Sequence, residues 1–428
     1  MVVNYTINML GPIIDMVWVG RLGPADVAAV GISGLAVNLV NSLQMGLFTG
    51  TRAIAARLVG AGDYEKANHV ANQAVIVSAV FSILMALLGI FFAAPMLALT
   101  GASPEVVALG TAYNRIEFIG SITMTFRVMN DAIMQASGDS VTPMKIGIIF
   151  RVIHIGLSPF LIFGWAFFPS LGVVGAAATG VFSQGVGASL GIWMLSTGRT
   201  RLRLSLRKFR FDLDMIWRMV KIGIPASIMG TQRGISQFVL MWSMSPYGTL
   251  AVAAQSLQQR VDMLVMNPLM GMGQASGVLV GQNLGAHEIE RARKTVWMAT
   301  LWASIITCCC ALAVLFYGEG IISALFSADP DLMPISATFL RISAVSWLAM
   351  GFTSILQQSI SGAGDTIIPM LVSFGTIWLF QLPLAFIIPK VTGLGEYGVR
   401  WGMVVATVVG AAAYVLYFSK GRWANKKV

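Results

Sequence analysis

Few residues in this chain could do chemistry in an apolar environment. Asp15 is the only charge in the helix-length apolar segment Asn4 to Gly20, which runs into Arg21-Leu22-Gly23-Pro24. A carboxylate that deep in a membrane span must be solvated, paired or protonated, and by default it marks a functional site. Such a group can take a proton from one side and release it to the other, or hold a partly dehydrated cation. Its alternative role is to pair with an arginine and join two helices. A second group lies in the fifth apolar stretch, where His154 and Ser158 are spaced i, i+4 on one helix face and Arg151 precedes His154 by one turn. Histidine changes charge near neutral pH, so His154 could relay a proton; as a neutral ring it would instead bond to backbone or to the serine. Arg127 and Asp131, also i, i+4, can neutralise one another as a structural pair.

Further polar side chains stand in otherwise apolar runs. Asn38, Asn41, Ser42 and Gln44 lie in the second run, and Gln255, Gln258, Gln259, Arg260 and Asp262 lie in the eighth. They are suited to a wet cavity or, equally, to hydrogen bonds between helices. Arg260 and Asp262 are two positions apart and cannot share a helix face. Arg115 and Arg341 sit in related contexts, Tyr113-Asn114-Arg115-Ile116 and Phe339-Leu340-Arg341-Ile342, with Glu117 close to the first.

Several chemistries have no support. There is no HExxH, no Gly-x-Ser-x-Gly and no paired Asp motif for an intramembrane enzyme. Gly277, Gly281 and Gly285 are followed by no Gly-Lys-Ser/Thr, so they read as close helix packing and not as a nucleotide loop. Cys308, Cys309 and Cys310 are adjacent, the wrong spacing for a metal site or a disulfide framework. No metal and no cofactor is expected, and the energy for any transport must come from an ion gradient.

The elements that position these residues are membrane helices. Of 428 residues 56% are hydrophobic and 11% charged, with mean hydropathy +0.77, too little charge for a soluble surface of that size. Each crossing needs ~20 apolar residues as a helix, because the bilayer gives the backbone no other hydrogen-bond partner. Spans are expected at 2–20, 26–50, 68–99, 104–136, 142–166 and 171–196, then 216–244, 249–277, 295–317, 333–360, 366–389 and 398–419. The expected class is an all-α polytopic membrane protein with twelve transmembrane helices in two pseudo-symmetric six-helix lobes, 1–197 and 215–428, joined by a basic linker at 198–214. That linker contains Arg199, Arg201, Arg203, Arg207, Lys208 and Arg210. With Arg52, Arg57, Lys66, Lys145, Arg291, Arg293, Lys294 and the C-terminal basic residues it would gather on one side, leaving Arg21, Lys390 and Arg400 on the other. The positive-inside rule then puts the linker and both termini in the cytoplasm of a multi-pass cell-membrane protein, here a bacterial inner membrane. The net charge of +10 is thus topological and does not point to nucleic acid.

The halves are copies. Laid over one another, they place Val27-Ala28-Ala29 on Val252-Ala253-Ala254 and, with the register slipping by a single position further along, Gly138-Asp139 on Gly364-Asp365 and Pro143-Met144 on Pro369-Met370. An even number of spans per half makes the copies run parallel, an arrangement used by transporters that rock two bundles about a midplane site. Pro225 would align before Met1, so the N-terminus is expected to be cut short relative to the repeat.

Four stretches together resemble the multidrug and toxic compound extrusion (MATE) transporters. They are Asp15-Met16-Val17-Trp18-Val19-Gly20-Arg21-Leu22-Gly23-Pro24, Val280-Gly281-Gln282-Asn283-Leu284-Gly285-Ala286, Ser137-Gly138-Asp139 through Pro143-Met144, and Gly364-Asp365 through Pro369-Met370. The resemblance implies two six-helix lobes around a V-shaped cavity, exporting drugs or metabolites in exchange for protons or sodium ions. It implies that Asp15 is the ion-coupling carboxylate. Family members often carry Asn-x-x-x-Asp-Pro in span five, where this chain has His154-Ile155-Gly156-Leu157-Ser158-Pro159, so the second carboxylate is missing and protons are expected ahead of sodium. One family branch has a Glu eight positions after the span-seven proline, and the same count from Pro225 gives Arg233.

The expected ion-coupling residues are therefore Asp15, His154 and Ser158, and the expected substrate cavity draws on Arg151, Arg233, Asn38, Gln258, Arg260 and Asp262. Fixed positive charge there would favour an anionic or zwitterionic small molecule, unless Arg233 is paired with Asp262 or reaches an interface. The chain is expected to work as a monomer among membrane lipids. The alternative function is a flippase for a lipid-linked saccharide or another anionic amphiphile.

Overall fold

The computed structural model describes residues 1–165, 168–205, 209–325 and 331–426; Arg207 and Lys208 of the linker lie outside the described residues. These residues form helices and, among those described, no strand. The first half contains α1 (Val2–Val19), α2 (Pro24–Gly60), α3 (Tyr64–Ala98), α4 (Pro104–Ile119), α5 (Ser121–Ala136), α6 (Val141–Phe163) and α7 (Val173–Ser196). The second contains α8 (Leu213–Met244), α9 (Thr249–Gly285), α10 (Ile289–Leu325), α11 (Leu332–Gly362), α12 (Ile367–Phe374), α13 (Leu382–Thr392) and α14 (Glu396–Ser419). Only Gly120 separates α4 from α5, and a π-helical stretch, Gly375–Gln381, joins α12 to α13, so each pair makes one span. Among the described residues the result is twelve transmembrane helices, six per half. Nine of these stretches, again among the described residues, are long and apolar enough to cross a membrane by themselves.

Local chemistry sets the helix ends. Proline opens α2 and α4, where its missing N–H costs nothing. Asp63 caps α3 by accepting from the Lys66 N–H at 3.0 Å. The long apolar side chains face outward, Phe91 at 66% exposure and Ile83 at 60%, as expected where the surrounding solvent is hydrocarbon. The repeat is also visible in the backbone. Gly172 (φ 55, ψ −132) and Gly395 (φ 57, ψ −133) lead into α7 and α14 with the same left-handed turn, and Gly138 and Gly364 share nearly the same φ (88 and 91).

Two compact units result, one of Met1 and Val3–Ser227, the other of Val2 and Ile228–Val428. The division lies inside α8 and not at the linker, for a steric reason. Gly46 and Gly50 of α2 let the first half of α8 come so close that an added Cβ would collide with the Ser227 nitrogen and with the Met219 carbonyl oxygen. The Ser227 hydroxyl also donates to the Leu43 carbonyl at 2.9 Å.

The linker is strapped to the start of α3. Asn68 accepts from the Arg203 N–H at 2.7 Å, Asn72 from the Ser205 N–H at 3.1 Å, and Gln73 donates to the Arg210 carbonyl at 2.6 Å. Asp212 accepts from the Met215 N–H at 2.9 Å, opening α8, and meets His69 at 3.0 Å. In the second unit α9 and α11 cross closely, since a Cβ on Gly277 would meet the Gln358 carbonyl at 2.6 Å. Arg400 departs from expectation: it is no outer-loop charge but a buried side chain, 3% exposed. A cation can stay there only because polar and aromatic side chains of neighbouring helices meet it.

Candidate functional site

In the first unit α1 and α6 bring together the residues with proton chemistry. Asp15 lies one turn before the end of α1, and His154 is central in α6 at 3% exposure. Nε2 of His154 stands 3.1 Å from Asp15 Oδ1. The contact is short enough for an ion pair but out of line for a hydrogen bond, so both atoms lack a hydrogen-bond partner. Arg151 Nη1 lies 3.0 Å from His154 Nδ1. A guanidinium has no lone pair to offer, so it donates, Nδ1 accepts, and the ring proton of the neutral tautomer sits on Nε2, facing the carboxylate. Arg151 Nε donates to the Ile7 carbonyl at 3.0 Å, and the guanidinium fits over Gly11, where a Cβ would collide with Nη1. Arg151 therefore holds α1 to α6 and the imidazole in its tautomer. The sequence marks the three side chains but not Ile7 or Gly11; a glycine in a span rich in larger residues is the available signal.

The other first-lobe positions divide. Ser158 is fully buried and its hydroxyl donates to the His154 carbonyl at 2.7 Å, so its proton is committed to the helix. Arg127 and Asp131 meet at 2.9 Å, and Arg127 Nε also donates to Gln184 at 3.2 Å. Asn38 is exposed.

In the second unit α9, α11 and α14 build a different cluster. Trp347 Nε1 and Gln258 Nε2 donate to Asp262 Oδ1 at 2.8 and 2.9 Å. Arg400 Nη2 lies 3.8 Å from Asp262 Oδ2, Nη1 donates to Gln255 at 3.1 Å, and Nη2 donates to the Ser343 hydroxyl. The guanidinium also stands 5.6 Å from the centre of the Phe339 ring, within cation–π range. These contacts explain the buried arginine. The sequence does not single out Arg400, Trp347 or Ser343 for this role, although an arginine near the start of the otherwise apolar α14 is a readable cue. Arg260 is exposed, and Arg233 is half-buried with its Nε donating to the Met229 carbonyl of its own helix at 3.3 Å. Among the described residues no cluster of three or more His, Cys, Asp or Glu could hold a metal ion.

The geometry agrees with the relatives of this sequence. The MatE family model matches residues 1–160 and 225–387. The probable multidrug resistance protein YoeA of Bacillus subtilis (strain 168) is 25% identical over 434 residues, covering 100% of this chain and 93% of that protein. The multidrug export protein MepA of Staphylococcus haemolyticus (strain JCSC1435) is 28% identical over 373 residues, 86% of this chain and 79% of that protein. A solved structure of a multidrug resistance MATE family transporter of the MOP superfamily, in the outward-facing conformation, superposes with TM-score 0.92 at 24% identity, covering 98% of this chain and 93% of that one. With the family model matched across most of both halves of a twelve-helix membrane fold, this chain belongs to the MATE family of multidrug efflux transporters.

Proposed function

We propose that this transporter exports an anionic or zwitterionic small molecule in exchange for protons carried at Asp15. The observation that carries the proposal is the 3.1 Å contact between Asp15 and His154, with Arg151 on the other ring nitrogen. Neutral His154 turns Nε2–H to the carboxylate and accepts from Arg151 through Nδ1. A second ring proton would have to occupy Nδ1 and would expel the guanidinium. Arg151 would then release the Ile7 carbonyl and loosen α1. Proton exchange at the Asp15–His154 pair is thus converted into a change in how α1 is held, a differential contact of the kind that shifts a two-state equilibrium.

Protons are favoured over sodium because Ser158 offers a neutral hydroxyl where a second carboxylate would supply the negative charge that helps hold a metal cation. Buried Arg151 and half-buried Arg233 supply positive charge for an anionic substrate. The same reading has both termini in the cytoplasm, supported by the distribution of lysine and arginine, and a single chain as the working unit.

Reconstituted in liposomes, the protein should exchange an anionic dye under a pH gradient without sodium. Asp15→Asn should abolish that exchange and leave the thermal unfolding midpoint in detergent near that of the unmodified protein. Full transport by Asp15→Asn, or a strict sodium requirement, would overturn the proposal.

A further inference from the structure

We propose that Glu117 is a second proton-binding carboxylate of the first lobe, sharing a one-water pocket with Asn41 and Ser121. The inference rests on the proton-coupled reading above and extends it to a residue outside the Asp15–His154 pair. Glu117 lies on α4 just before Gly120, where α4 gives way to α5. There, a cavity of about 10 Å³ is lined by Glu117, Asn41, Ser121, Gln184, Val37 and Val181 among others. That is the room one water needs. Asn41 Oδ1 and Ser121 Oγ are both buried without a hydrogen-bond partner, and Ser121 is only 4% exposed. The backbone of α7 closes the other side, since a Cβ on Gly180 would meet Glu117 Oε1 at 3.4 Å.

No described residue gives Glu117 a salt bridge or a hydrogen bond. Its surroundings contain few other charges. α1 contributes Asp15 and α4 itself Tyr113; each carboxylate lies within reach of the other's charge, and Tyr113 of both. Arg115 of α4 is exposed and, two positions away, points off another face of the helix. α5 contributes Arg127, already committed to Asp131 and Gln184. α2 and α7 present the amides of Asn41 and Gln184, and α3 has no ionisable residue beyond His69 at its cytoplasmic end. An ionised carboxylate without a cation in such a place is costly, whereas a protonated one supplies the O–H donor that the orphaned Asn41 oxygen lacks, directly or through the water.

The internal repeat supplies a control. It sets Val37 on Asp262 and Glu117 on Ser343, so the corresponding interface of the second lobe also holds one carboxylate. There Arg400 neutralises it. Counted from the matching turns at Gly172 and Gly395, the repeat counterpart of Arg400 is Ala177, so the first lobe has an acid at this interface and no arginine from that helix. What arginine does in one lobe, a proton does in the other.

Infrared difference spectra of the reconstituted protein, taken across a pH step with and without a gradient, test this together with the pH dependence of dye exchange. Glu117→Gln should remove one protonated-carboxyl band, and the slope of log rate against pH should fall by about one proton, with Glu117→Asp restoring both in part. Ser121→Ala should shift the frequency of the band without removing it, which keeps the test open if Glu117→Gln folds poorly. An unchanged band and slope in Glu117→Gln, an unmoved band in Ser121→Ala, or loss of the band from unmodified protein on adding sodium would overturn the assignment. Asp15→Asn separates the two proposals: if it transports normally while Glu117→Gln still loses its band, Glu117 is a proton site and the Asp15 reading has failed.

Discussion

The two lobes bury acid in opposite ways. In the second, Asp262 receives hydrogen bonds from Trp347 and Gln258, and its charge is met by Arg400, which does not deprotonate. In the first, Asp15 faces a histidine that can change charge, through a contact that leaves an oxygen and a nitrogen without hydrogen bonds. A carboxylate that takes two hydrogen bonds and faces a permanent cation is built to stay in one state, while one that faces a histidine has a partner whose charge can change. On the proton-coupled reading proposed above the first pair is a switch and the second cluster a fixed anchor, placed at interfaces that the repeat does not relate, α1 with α6 and α9 with α14.

The largest effect that could break this comparison is in the anchor. Arg400→Met leaves the half-buried Asp262 with its Trp347 and Gln258 hydrogen bonds but no cation, and should cost about 3 kcal/mol of stability, read as a fall in the unfolding midpoint in detergent. Adding Asp262→Leu should recover most of that loss. A stable single variant would mean that the second lobe is not held by its ion pair. In the switch, His154→Gln should fold but lose proton-driven exchange on the order of tenfold, corresponding to ~1.4 kcal/mol; an unaltered rate would make His154 a spectator.

A pair of acids that the repeat does relate gives a smaller contrast. Asp139 accepts from the Val141 and Thr142 N–H groups at 3.1 and 3.0 Å, whereas Asp365 is 2% exposed and meets Tyr417 at 2.5 Å and Lys426 at 3.4 Å. Asp139→Ala should therefore cost only the ~1 kcal/mol typical of a helix-start carboxylate, and Asp365→Ala more, by thermal unfolding. The smallest effect concerns the linker. The Met215 N–H, and then His69, hold the Asp212 carboxylate below its ordinary range. Its contribution is therefore fully in place above that ordinary range and is lost as pH falls through the lower folded value. A spin label on the linker should gain mobility below about pH 4, and Asp212→Asn should remove that pH dependence.

Much of the fold was legible because lipid imposes simple rules. Span length, the charge of the loops and the internal repeat follow from hydrocarbon thickness and from copied turns such as Gly138 and Gly364, and no long-range contact is needed to read them. The α4–α5 break was less visible, since Gly120 is one of many glycines and only its packing against Val181 marks it, where a Cβ would collide with the valine methyls.

The sequence by itself determined which groups can titrate inside this protein: Asp15, Glu117, His154 and Asp262 are the scarce ionisable side chains of their spans. Only the tertiary structure decided their fates. Partnership across helices depends on which faces meet, and a linear pattern cannot show that α14 brings Arg400 to Asp262 or that Asn41 of α2 and Gln184 of α7 close around Glu117. For the same reason the contact between Asp15 and His154, far apart in the chain, depends on how α1 and α6 meet, with the Arg151 guanidinium seated over Gly11.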